Sequence, residues 1–180
     1  MHPAPSPVSR LGLRRLLLDR RGVAAVEFAL LTPILLALLL SLFDACLAFR
    51  QMLRVVNANA AAANYAISAG AGLGKAGLAA FAADVAAIVR GSADGFSTAE
   101  VTVLINNAAD GSSIETFYCV SGSPPRWTAT GSSSTACGDS ATSGKFVTIT
   151  VSLPYQPLIR TSGAFTRFAA IADTVTARIQ

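Results

Sequence analysis

From residue 23 onward the apolar positions are dense, and their spacing changes along the chain. Residues 23–43 form a continuous apolar run broken only by Glu27, Thr32, Pro33 and Ser41. A helix of that length covers about 31 Å, which matches a hydrocarbon core of about 30 Å. The pattern then becomes periodic. Phe49, Met52, Leu53, Val56, Ala60, Ala63 and Ile67 recur at helical spacing, opposite Arg50, Arg54, Asn57, Ala61, Asn64 and Ser68. This predicts an amphipathic helix packed by its apolar face on a globular head. No turn residues fall between 43 and 52, so one rod is predicted from 23 to 69. Gly70-Ala71-Gly72-Leu73-Gly74 stops it.

Beyond the rod the periods shorten. Leu78, Phe81, Val85, Ile88 and Val89 predict a second short helix over 77–89, with Gly91 after it. Strand-like runs follow at 101–105, 114–120, 146–153 and 175–179, with a turn region at 106–113. The run at 146–153 alternates most clearly and ends at Pro154. The expected fold class is α+β: a long N-terminal helix, a short second helix and a small antiparallel sheet. The regions are a basic leader (1–22), a transmembrane helix (23–43), an extended amphipathic helix (44–69), a Gly-rich linker (70–76) and an exported domain (77–180).

Charge sharpens this division. The formal net charge of +4 lies in the leader, where Arg10, Arg14, Arg15, Arg20 and Arg21 face only Asp19; beyond Gly22 nine basic residues balance nine acidic ones. The positive-inside rule puts the N-terminus in the cytoplasm and the rest outside. Outside the leader there is no basic stripe, so nucleic acid is not an expected partner. The one histidine is His2, which excludes histidine triads, bases and metal sites from the exported domain. No cofactor, metal or small-molecule substrate is expected. Gly70 to Lys75 is not a phosphate loop, because a Walker A pattern needs glycine at 69 and Ser or Thr at 76, and both are alanine. No catalytic constellation emerges, and a small periplasmic hydrolase would need clustered carboxylates in a polar pocket.

Glu27 is the chemically loaded residue. A carboxylate within hydrocarbon is costly and functional by default. Here it lies five residues after Gly22, behind a basic leader. An ordinary secretory signal, or a lipoprotein cut at Cys46, would leave both Gly22 and Glu27 without a role, and Phe43-Asp44-Ala45 is a poor lipobox.

Arg21-Gly22-Val23-Ala24-Ala25-Val26-Glu27-Phe28, followed by Ala29-Leu30-Leu31-Thr32-Pro33-Ile34-Leu35-Leu36, resembles the N-terminal segment of TadE-like proteins. These are minor pseudopilins of tight-adherence (Flp-type, type IVb) pili. The resemblance implies a prepilin peptidase cut between Gly22 and Val23, with the hydrophobic segment retained. Glu27 and Phe28 then become assembly residues, with Glu27 neutralised by the new Val23 amine or a neighbour's. Implied partners are the prepilin peptidase, other pilins or pseudopilins, an inner-membrane assembly platform and the lipid bilayer. The implied location is the bacterial inner membrane, single-pass, with a periplasmic head. A looser likeness runs from Val151 to Arg178, where a strand, a proline-containing turn and a final strand close the domain. The alternative is a signal-anchored periplasmic interaction domain unrelated to pili, distinguished by an uncut N-terminus.

In an oxidising periplasm Cys119 and Cys137 are expected to pair across a Gly/Ser/Thr/Pro-rich segment. The loop-entropy argument gives such a bridge about 3 kcal/mol. Cys46 reads as a small apolar packing residue. Trp127, the only tryptophan, lies within the bridged loop, where it either contacts a partner or lies over the sheet as a lid.

Overall fold

The computed structural model describes residues 22–92, 94–108, 110–138, 141–157 and 170–180; the leader before Gly22 lies outside the described residues, as does the stretch 158–169 of the C-terminal likeness. The chain divides into two compact units, Met1–Phe43 and Asp44–Gln180. The first helix, α1, is a single element over Val23–Ala69 with Pro33 inside it.

In the first unit α1 is long and apolar enough to cross a membrane, and none of its most apolar stretch is buried. Pro33 brings no N–H, so the carbonyl of Ala29 loses its helical donor. The neighbouring hydroxyl does not replace it. Thr32 Oγ1 donates to the carbonyl of Phe28 at 2.6 Å, one position short of the freed group. Ser41 Oγ likewise donates to the Ala37 carbonyl at 2.8 Å. Both hydroxyls are thus satisfied within the helix, as hydrocarbon surroundings would demand.

In the second unit the remainder of α1 packs with α2 (Leu78–Gly91) over a three-stranded antiparallel sheet. Its strands are β1 (Glu100–Ile105), β4 (Phe146–Pro154) and β5 (Ala170–Arg178), in the order β1-β4-β5. The alternation along β4 decides its faces. Val147, Ile149, Val151 and Leu153 are buried in the core with Phe81, Val85, Val89 and Phe96. Thr148 and Thr150 point the other way and share hydrogen bonds with Thr176 and Thr174 on β5 at 3.1 and 3.0 Å.

A separate two-stranded hairpin, β2 (Phe117–Ser121) and β3 (Arg126–Thr130), carries the disulfide between Cys119 and Cys137, whose Cα atoms are 5.6 Å apart. The expected strand at 114–120 is shorter than its apolar run. Ile114 is a buried plug in a turn, and that turn is held by Asn106. The Asn106 side chain donates to the carbonyls of Ser113 and Thr116 and accepts from the Phe146 N–H, with the backbone at a φ of 48°. Asparagine tolerates that left-handed conformation better than most residues.

One expectation is corrected. Of the stripe Phe49, Met52, Leu53, Val56, Ala60, Ala63 and Ile67, read as the packing face of the rod, only Ala63 is buried and the others are exposed. The face against the core is instead Val55, Ala58, Asn59, Ala62 and Ala66, rotated by about one residue (about 100°) round the helix. Small side chains let the helix axis approach the sheet and α2 closely, and dense packing rewards that approach. At its end Gly70 is required by proximity: a Cβ there would lie 2.5 Å from the Ala66 carbonyl oxygen and 2.9 Å from Ile179.

Candidate processing and assembly site

Gly22 precedes the helix and Val23 opens it. Neither crowding nor backbone strain explains the glycine. A Cβ added at Gly22 would meet nothing within 4 Å, and its φ is not in the left-handed region. Val23 and Phe28 are exposed, as is Glu27, one turn into the helix. The span has three side chains with polar groups, Glu27, Thr32 and Ser41, and the two hydroxyls bond backbone carbonyls. Glu27 has no hydrogen bond or ion pair among the described residues; the one ion pair found there is Lys145 with Glu115, at 3.9 Å. The site is therefore a helix start carrying one uncompensated carboxylate on a surface of exposed leucine, isoleucine, valine and phenylalanine.

A family model described as TadE-like protein matches residues 22–64. Over those residues the chain is similar to TadE-like proteins. The TadE-like match opens at Gly22 and ends within α1, so it takes in Val23, Glu27 and Phe28 and leaves the head, including the looser C-terminal likeness, outside. No curated protein and no solved structure matches the chain.

In the head Trp127 is half-buried, its ring edge-on to Tyr118 and Phe146 with centroids 6.1 and 5.9 Å away. It joins the hairpin to β4, while the disulfide ties β2 to the segment that follows β3. Lys145 lies over the Phe117 ring at 5.2 Å. Cys46, expected to pack, is instead an exposed free thiol, because the rotation of α1 turns position 46 away from the core.

Two residues that the sequence reading passed over organise the start of the head. Asp44 is almost wholly buried, and the Tyr155 hydroxyl donates to its backbone carbonyl at 3.0 Å and to Oδ1 at 3.1 Å. Burial first, then the hydrogen bond and charge of Asp44, push the Tyr155 hydroxyl above the usual tyrosine range. Farther up α1, Tyr65 donates to Asp84 of α2 at 3.0 Å, and that bond is the main cause of its raised pKa. An aspartate just past an apolar run reads as a solvated cap. Nothing local in the sequence announces a tyrosine partner 111 residues away.

Proposed function

We propose that the protein is a minor pseudopilin, an assembly component of a tight-adherence (Tad/Flp) system. It spans the bacterial inner membrane once, with its leader in the cytoplasm and its head in the periplasm. A prepilin peptidase cuts between Gly22 and Val23, and the span stays with the mature chain. The observation that carries this reading is Glu27: a carboxylate without a partner among the described residues, on an apolar surface one helical turn from Val23. An ionised group at the centre of a span costs about 3 kcal/mol on insertion scales and less toward its ends, a cost that a neutralising partner offsets. A free ammonium at Val23, from the same or a neighbouring subunit, supplies that charge after the cut. Gly22 fits the same account. The folded chain makes no demand for glycine there, whereas a protease cleft admitting extended backbone does. The exposed Leu53, Val56 and Ile67 supply an apolar face for a neighbouring subunit.

The deciding experiment is the N-terminus of the protein in its native membrane, read by intact mass and peptide mapping with and without the prepilin peptidase. The expected mature chain starts at Val23 and does so only with the peptidase present. A start at Met1 would overturn the reading in favour of a simple signal anchor. A start near Cys46 would make the apolar run an ordinary, discarded signal. With processing established, Glu27→Gln is expected to leave the cut and membrane insertion intact while recovery with the other pilus subunits falls to background.

A further inference from the structure

Between α1 and β5 lies a groove of about 510 Å³, lined by Ala45, Ala48, Phe49, Met52, Tyr155 and Ile171, with Ala170 and Ala172 at its rim. Its lining is almost wholly apolar, and the one side-chain polar group, the Tyr155 hydroxyl, is already committed to Asp44. We propose that this end of the head rests on the membrane and that a phospholipid acyl chain occupies the groove.

Connectivity supplies the first argument. Asp44 follows directly on the candidate span, and Tyr155 binds the end of β4 to Asp44 itself. The end of the head where β4 stops is thus held to the residue at which the candidate span ends in the chain. Phe49 lies five residues past Asp44, about 7.5 Å along the helix axis, comparable with a headgroup layer of about 5–8 Å on each side of the hydrocarbon. Chemistry supplies the second. Phe49 and Met52 are 64% and 48% exposed, and Leu47 beside them is exposed as well, so this end of the head presents large apolar side chains outward. Phenylalanine beside a hydrogen-bonded tyrosine suits the interface, where one part of the site is apolar and the other wet. A groove whose lining has no uncommitted side-chain donor or acceptor offers little to a polar partner, and lipid is the apolar material present at that depth. The proposal rests on the span alone, not on processing or on pili.

The test uses the full chain in vesicles of phosphatidylethanolamine and phosphatidylglycerol. Cys46 is the only free thiol, since Cys119 and Cys137 are bonded to each other. A Cys46→Ser background therefore accepts single spin labels at Phe49→Cys and Ala172→Cys, with Leu36→Cys in the span and Asn57→Cys on the polar face as references. Collisions with oxygen, which concentrates in hydrocarbon, are compared with collisions with a water-soluble nickel chelate. The labels at 49 and 172 are expected to show oxygen-to-nickel ratios at least about fivefold above that at 57 and approaching that at 36, as for groups at the headgroup–acyl boundary. The label at 172 is decisive because it belongs to the sheet, not to the tethered helix; Ala170→Cys serves in its place should that variant not fold. A ratio at 172 like that at 57 would overturn the proposal, since the head would then stand in water. Shielding of both labels from oxygen and nickel alike would also overturn it, with a protein in the groove. Nickel access at 36 would remove the span and the proposal together. No peptidase or pilin is present, so none of these outcomes bears on processing.

Discussion

Val55 and Val56 are neighbours on one helix and meet opposite surroundings. Val55 is sealed in the head's core, with Ala58, Ala62 and Ala66 above it on the same face. Val56 faces outward beside Phe49, Met52, Leu53 and Ile67, the largest apolar side chains of this half of α1. Side-chain size therefore did not choose the buried face. Closeness did: alanines cost little side-chain entropy on burial and let the backbone approach the sheet, while the bulky residues remain on the outside. A row of exposed large apolar side chains is what a partner or a membrane requires, and a self-contained helix would have reversed the assignment.

The largest effect that would break this comparison comes from overfilling the inner face. Ala62→Leu inserts three heavy atoms where α1 meets the core and is expected to cost about 3 kcal/mol. For a unit of this size that lowers the melting temperature by about 10 °C. Ala60→Leu, on the outer face two residues earlier, is expected to change it by less than about 2 °C. Thermal melts of both full-length variants in detergent decide the matter, and equal losses would mean that the helix is rotated from the arrangement described.

The valine pair gives the same contrast by deletion. Val55→Ala removes two buried methyl groups and is expected to cost about 2 kcal/mol once the cavity is included. Val56→Ala is expected to cost less than about 0.5 kcal/mol in the isolated protein. Denaturant midpoints measured at constant slope check both values. A loss at Val56 that appears only with the subunits of the proposed tight-adherence system present would turn the outer face from an exposed surface into a measured interface.

Much of this was legible in the residues. The unbroken apolar run, the absence of turn residues after it and the glycines at 70–74 announced the rod. The alternation of 146–153 announced β4, and the two exported cysteines announced the bridge. The inner face of α1 was not legible, because periodicity counting favours large side chains and the inner face is built from alanine. It also contains Asn59, a polar residue that is fully buried and donates to Asp173 Oδ2 at 2.8 Å. Asp173 in turn interrupts the apolar row of β5, which hid the first half of that strand and left only 175–179 in view. Each residue looks wrong for its element until the other is placed beside it. Strand β3 was hidden for another reason: Arg126-Trp127-Thr128-Ala129-Thr130 has one large apolar residue, which packs on rings from two other strands. Of the proposed processing site, the positions came from the resemblance, while the lack of a partner for Glu27 among the described residues shows only in the fold.

The smallest expected effect concerns the point where the inner face begins. Tyr155 fastens Asp44 to the end of β4, and Tyr155→Phe removes both hydrogen bonds while keeping the ring in the groove. At neutral pH the expected loss is about 1 kcal/mol, because a single hydroxyl hydrogen serves both acceptors of the buried Asp44 and a hydrogen bond has a net worth of that order. The pH dependence is the sharper readout. Burial and Asp44 raise the folded-state pKa of Tyr155 above the ordinary value of 10.0. Between the unfolded and folded values the native state therefore holds a proton that the unfolded chain has lost. The contribution is fully present below the unfolded value and disappears as pH rises through the folded one. Stability of the wild-type chain is expected to fall more steeply above pH 10 than that of Tyr155→Phe, the two curves converging at high pH. Parallel curves would mean that the hydroxyl is equally solvated in both states, and the inner face of α1 would then begin above Asp44.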